Sequence, residues 1–205
     1  MPRAGLAPAA VVAAGAALAD EVGFASLTMG LLAERVGVKA PSLYKHIASL
    51  EALQHGIAIQ AKRELSEALA RAAVGKSGPD AVRAYAGAWR RWALDHPGRY
   101  AATIRAPTAD DEDEDRRVAN EGLQIMYDVL AGFGLRGSRS VDAARALRSA
   151  LHGFAALESA SGFGLPHDVD RSFGFLLDTL IAGLQADHPT LPEDQHDHQP
   201  LTHKI

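Results

Sequence analysis

Residues 23–53 read GFASLTMGLLAERVGVKAPSLYKHIASLEAL. Thr28 is a good N-cap for a short helix reaching Arg35, whose apolar side offers Leu31, Leu32 and Val36. Ala33 is small enough for two helices to cross closely, and Gly37 supplies the left-handed backbone of a tight turn. A second short helix over about 39–45 then follows, with Val38 and Leu43 directed back to the core and Ile47 closing it. Its outward positions are Lys39, Ala40, Pro41, Ser42, Tyr44, Lys45 and His46, which are small, hydroxyl-bearing or basic and never acidic. Small residues at a helix N-terminus allow approach to base edges, and free N–H groups with the helix dipole favour phosphate. Singly, Tyr44 and His46 read equally as solvated surface residues. As an ordered string, short helix, tight turn and short helix form a helix-turn-helix whose second helix suits a major groove.

On the N-terminal side, Arg3, the apolar run 6–19 and Ala17-Leu18-Ala19 imitate a secretory signal with a cleavage site. The competing reading is a helix over about 8–22, with Pro8 at its first position and Val11, Ala14, Gly15, Leu18 and Val22 on one stripe. We take the helix, because its removal would strip the next segment of its core, and expect a cytoplasmic chain. No later stretch has the 18 or so uninterrupted apolar residues of a membrane span, so no membrane partner is expected.

On the C-terminal side the spacing predicts helices over about 49–73, 79–95, 98–105, 112–132, 138–161 and 168–186, separated by Gly- and Pro-containing breaks. No segment alternates with the period of a strand. The expected fold is all-α, with about nine helices: a three-helix N-terminal unit over 1–50, an antiparallel helical bundle over 51–186, and a polar tail over 187–205 holding His188, His196, His198 and His203. The helix over 49–73 joins the first two. Composition agrees, since 205 residues with 47% apolar and 22% charged content form an ordinary globular chain. The absence of cysteine excludes disulfides, thiolate metal sites and cysteine nucleophiles. The net charge of −4 is not that of a protein coating nucleic acid by charge alone. Residues 1–50 carry a net +1 and the remainder −5, so any contact with DNA has to be local.

The segment resembles the DNA-binding domain of the TetR family of bacterial transcriptional regulators. The matching residues are Gly23-Phe24, Thr28-Met29, Leu32-Ala33-Glu34-Arg35-Val36-Gly37-Val38, Leu43-Tyr44-Lys45-His46 and Ala52-Leu53. The resemblance implies phosphate contacts from Thr28, Tyr44 and His46, base-edge positions for Lys39, Ala40, Pro41 and Ser42, and a base or phosphate contact from Lys45. Leu43 would be core. Where the family often has a phosphate-binding lysine at the start of the following helix, this chain has Leu50. Modest nonspecific affinity and a shallow salt slope are therefore expected.

The last two helices, about 138–161 and 168–186, look apolar on more than one side. In the first, Val141, Ala144, Leu147, Leu151, Phe154, Ala155 and Leu157 exceed one stripe, as Phe173, Phe175, Leu176, Leu177, Leu180, Ile181 and Leu184 do in the second. Deep burial within one chain is the plain reading. The resemblance implies instead a homodimer through these helices and a palindromic double-stranded operator, with half-sites about 34–36 Å apart or a larger multiple. Residues 79–186 also resemble one C-terminal subtype of the family, marked by W-H-G; Leu151-His152-Gly153 stands at that place, and the run from Trp92 to Tyr100 matches the subtype's H-P-x-x-Y. A small organic effector would bind there. The candidates are Trp89, Trp92, Tyr100, Ile104, Met126, Tyr127, Leu130, Leu151, His152 and Phe163, each of which reads equally as plain core.

No cofactor, metal site or catalytic group is expected. Gly132-Phe133-Gly134-Leu135-Arg136-Gly137 spells G-x-G-x-x-G but follows no strand, so it reads as a turn between helices. The acidic run 110–115 reads as a solvated loop leading into a helix, with Arg116 and Arg117 as counter-charges. The chain is therefore expected to be a ligand-responsive regulator of transcription, most simply a repressor. The rival is a small helical enzyme or carrier with a vestigial DNA-binding head.

Overall fold

The computed structural model describes residues 7–104 and 113–186, so Arg3, the first half of the acidic run and the tail over 187–205 lie outside the described residues. Within them, nine α-helices and two short 3-10 turns are present and no strand. They are α1 (Pro8–Val22), α2 (Met29–Arg35), α3 (Ala40–Leu43), α4 (Leu50–Ala73), α5 (Gly78–Asp95), α6 (Pro97–Ala102), α7 (Asp113–Leu130), α8 (Ser138–Ser159) and α9 (Val169–Gln185).

Local chemistry sets the ends of the first elements. Pro8 opens α1, and Gly23, at φ 86°, turns the chain out of it. Thr28 Oγ1 accepts the Leu31 N–H at 3.2 Å and caps α2. At the other end of α2, Val38 N–H reaches Ala33 O at 3.0 Å and Gly37 N–H reaches Glu34 O at 3.1 Å. That pair of bonds needs a left-handed residue between helix and exit, and Gly37 supplies it at φ 70°.

Two apolar cores lie along α4. Val11, Leu18, Leu27, Leu32, Leu43, Leu53 and Ile57 fill the first, and Ala102 of α6 joins them. Leu65 and Leu69 enter the second, with Tyr85, Trp89, Trp92, Tyr100, Leu130, Leu147, Leu151, Phe173 and Ile181. A 24-residue helix is about 36 Å long, enough for its first half to serve one core and its second half the other. Small residues let it sit close: a Cβ on Gly15 would stand 3.0 Å from the Leu53 methyl.

Ion pairs tie the C-terminal helices together. The buried Asp115 carboxylate of α7 accepts from Lys62 of α4 at 2.7 Å. Arg90 of α5 makes a two-pronged bond to Glu158 of α8, at 2.6 and 2.5 Å, and reaches Asp170 of α9 at 2.7 Å. Its guanidinium also lies 4.9 Å from the centre of the Phe173 ring. These bonds hold Arg90 protonated even more firmly than usual, the hydrogen bond to Glu158 contributing most.

Several expectations need correcting. α3 is four residues long and continues only as a turn through 44–46. Leu31 is exposed, because α2 is under two turns long and Met29, Leu32 and Ala33 already form its inward stripe. Val22 is exposed where Gly23 redirects the chain. Asp115 is not solvated: Lys62, from a helix distant in sequence, neutralises it in the interior, while Glu114 pairs with Arg63 at 2.7 Å.

Candidate functional site

The positions read as DNA-facing fall on one exposed element. Lys39 is the N-cap of α3, with no side-chain cap of its own, and its ammonium group is exposed. Pro41 and Lys45 are exposed, and so is Tyr44, at 54%. Leu43 is entirely buried and pins this turn to the first core. Ser42 and His46 are half-buried, and Ala40 packs partly against the core, so it gives less of its surface to the outside than its neighbours do. Thr28 is exposed at the start of α2, its hydroxyl oxygen already occupied as a cap.

The electrostatics of this surface are spare. Arg35 is bound by Glu21 of α1 through two bonds of 2.6 and 2.5 Å. The hydrogen bond from Arg35 also holds the Glu21 carboxyl below its ordinary range. Arg35 thus brings little free charge to a phosphate. At the start of α4, where Leu50 replaces a cation, Ser49 caps the helix and Glu51 occupies its first turn. The backbone N–H of Glu51 and the Ser49 hydroxyl keep the Glu51 carboxyl ionised below its ordinary range. Among the described residues of this surface, the exposed lysines Lys39 and Lys45 remain as positive charge.

The residues expected to meet a ligand divide into two groups. Trp89, Trp92, Tyr100, Met126, Leu130 and Leu151 are all buried in the second core. Trp89 Nε1–H donates to the Tyr100 hydroxyl at 3.0 Å, and that hydroxyl lies 2.9 Å from His152 Nδ1. Both indoles stand edge-on to the Tyr100 ring, at 6.3 and 6.4 Å between centres. Tyr127 is half-buried beside this core, and with Leu130 it lines a groove of about 410 Å³ with Gln124, Asp128, Leu135 and Val141. Ile104 and Phe163 are exposed; Phe163 stacks near Phe154 at 4.8 Å, away from the tyrosine–histidine group.

Sequence reasoning missed the joint between the two cores. Arg99 of α6 donates its backbone N–H to Asp20 Oδ1 at 2.8 Å and its Nε–H to Asp20 Oδ2 at 2.7 Å. The same guanidinium reaches Glu64 of α4 at 2.7 Å and His96 Nδ1 at 2.7 Å. A Cβ on Gly98 would stand 2.0 Å from Ala19 O, so α6 meets α1 backbone to backbone. The signal available in sequence was an arginine beside the tyrosine of a short Pro-Gly-Arg-Tyr helix, with its partner Asp20 far away.

Residues 11–55 match the family described as bacterial regulatory proteins, tetR family, and residues 82–180 match the tetracyclin repressor-like C-terminal domain. An uncharacterized HTH-type transcriptional regulator of Mycobacterium tuberculosis is 37% identical over 166 residues, covering 81% of this chain and 76% of that protein. The uncharacterized HTH-type transcriptional regulator YobS of Bacillus subtilis is 29% identical over 187 residues, covering 89% and 95%. Among solved structures, a TetR variant from Acinetobacter baumannii in complex with minocycline superposes with a TM-score of 0.64 at 28% identity, covering 88% of this chain and 97% of that one. A protein of unknown function from Rhodococcus sp. RHA1 shares the fold, with a TM-score of 0.74 at 22% identity over 91% of this chain and 100% of that one. With the helix-turn-helix of α2 and α3 on one side of α4 and a helical body on the other, the chain belongs to the TetR family and is a DNA-binding transcriptional regulator.

Proposed function

We propose that the chain acts as a homodimeric repressor, released from a palindromic operator by a small organic effector. The observation that carries the DNA contact is the division of one short element: Leu43 wholly inside, with Lys39, Pro41, Tyr44 and Lys45 outside. Lys39, Ala40, Pro41 and Ser42 would face base edges. Thr28, Tyr44 and His46 would hold phosphate on either side, and Lys45 would reach a base or phosphate.

The dimer would form through α8 and α9. On α8, Ala146, Ser149, Ala156 and Leu157 are exposed at helical spacing, with the half-buried Gly153 among them, and the exposed Ala160 caps the helix. On α9, Phe175, Thr179 and Ala182 are exposed at positions i, i+4 and i+7. The Thr179 hydroxyl bonds to Phe175 O at 2.9 Å within its own helix, so it asks nothing of a partner. An apolar face of small residues rimmed by charge suits a second copy of the same face.

The effector would occupy the second core around Trp89, Trp92, Tyr100 and His152, with Met126, Leu130 and Leu151 as apolar walls and Tyr127, Ile104 and Phe163 further out. A related protein of this fold is solved in complex with minocycline, which supports an organic effector here. Tyr100 would feel the occupant, and the neighbouring Arg99 holds α1. Movement of α6 would therefore reposition the reading element. Coupling of about 1–3 kcal/mol would change occupancy about 5–150-fold.

The test is a mobility-shift titration on the DNA upstream of the chain's own coding region, with competitor DNA present. Salt-sensitive, competitor-resistant binding to an inverted repeat is expected. No specific binding to any neighbouring promoter would overturn the proposal.

A further inference from the structure

Arg148 and His152 are four residues apart on α8, hence on one side of that helix. His152 points into the second core, where its Nδ1 meets the Tyr100 hydroxyl at 2.9 Å. Arg148 is exposed at the rim, and its one hydrogen bond among the described residues is a long one, 3.4 Å, to Ile104 O. It has no ion pair among the described residues, whereas Arg83, Arg90 and Arg99 each hold a carboxylate.

Tyr85 lies in the second core beside Trp89. It is 1% exposed, and its ring is 5.9 Å from that of Trp89. Burial pushes the Tyr85 phenol well above its ordinary value, and the nearby Arg148 charge works in the opposite direction. The same opposition, burial raising and Arg148 lowering, acts on Tyr100. Arg148 thus sits over the end of α6, one turn along α8 from the imidazole that meets Tyr100. An exposed guanidinium beside apolar aromatic walls fits a flat anionic group.

We propose that the effector is an amphipathic organic acid: its carboxylate takes Arg148 at the rim, with His152 as a further hydrogen-bonding group, and its apolar body lies against Trp89 and Tyr100. This rests on the reading of the second core as the effector site and names the chemical class that the site accepts. The apolar walls would contribute most of the affinity, and the carboxylate would select acids over their neutral counterparts.

The chain contains two tryptophans, Trp89 and Trp92, and both stand against Tyr100, so intrinsic fluorescence reports on this place. The test titrates the full chain, without DNA, with benzoate, phenylacetate and octanoate, each beside its primary amide. The expected result is saturable quenching or shift by at least one acid, with its amide at least about tenfold weaker. Arg148→Gln should weaken the acid by a similar factor and leave the amide unchanged. No saturable response to any of the acids, equal response to acid and amide, or an undiminished response in Arg148→Gln would overturn the inference. Operator binding is measured separately, so a chain that selects acids but binds no promoter retains this inference and loses the repressor.

Discussion

Asp20, in the last turn of α1, receives both the backbone N–H and the Nε–H of Arg99, 79 residues later, at 2.8 and 2.7 Å. The Asp20 side chain is only 13% exposed and that of Arg99 20%, so neither group is free to rejoin water without disturbing the joint. Asp20→Ala leaves the guanidinium with Glu64 and His96 alone and should cost about 1–3 kcal/mol of stability. Because the pair fixes α1 against α6, Asp20→Ala should also weaken effector-driven release of DNA. Urea denaturation measures the first effect, and a mobility shift with and without effector the second.

The outward-facing turn makes a separate prediction. Tyr44→Phe and Lys45→Ala change exposed groups, so each should alter stability by no more than about 0.5 kcal/mol. Both should weaken operator binding, and Lys45→Ala should lower the salt slope by about 1 if that lysine meets phosphate. Unfolding by either variant would show that these side chains do not face outward.

Phe175 is 74% exposed on α9. Phe175→Lys should leave the helical content of the chain intact while dissociating the proposed dimer, because two like charges would meet across its two-fold axis. Sedimentation measures the dissociation. Operator affinity should fall with it, since a single half-site remains.

Ser161 stands at φ 54° after α8, where Gly162 N–H bonds to Leu157 O at 2.7 Å and Ser161 N–H bonds to Glu158 O at 3.0 Å. This is the arrangement that Gly37 completes after α2, with a side chain present in the left-handed position. Ser161→Gly should therefore stabilise the chain by about 1 kcal/mol, read as a raised denaturation midpoint.

Burial raises the phenol groups of Tyr85 and Tyr100 above their ordinary value of 10.0. A group whose value is higher in the folded state contributes stability that is complete below the unfolded value and lost as pH climbs past it. Denaturation midpoints should accordingly hold up to about pH 9 and fall above about pH 10. Tyr85→Phe should flatten that alkaline decline, although its midpoint at neutral pH need not match.

The parts legible in sequence were those whose cause is local. Thr28, Ala33, Gly37 and Leu43 each act on backbone or neighbours within a few positions, and α2, its turn and the burial of Leu43 follow from them. Pro8 and Gly23 bound α1 for the same reason. The length of α3 was not legible, because one turn of helix has too few positions to show a period. Nor were the partners of Asp20, Asp115 and Glu158, which lie 79, 53 and 68 residues from the groups that bind them. Periodicity shows that a side chain faces inward but not what it will meet there. Arg148 escaped notice for that reason: its place one turn from His152, which meets Tyr100, is visible only in the fold.

Gly98 and Ala19 touch through their main chains. Side chains between helices can swing to another rotamer and absorb a small push, but peptide planes have no such give. A shove of a few tenths of an ångström on α6 would thus arrive at the foot of α1 undamped. Position 98 is for that reason closed to every residue but glycine: even one added methyl group would act as a wedge, holding the head askew whether or not anything sat in the body below.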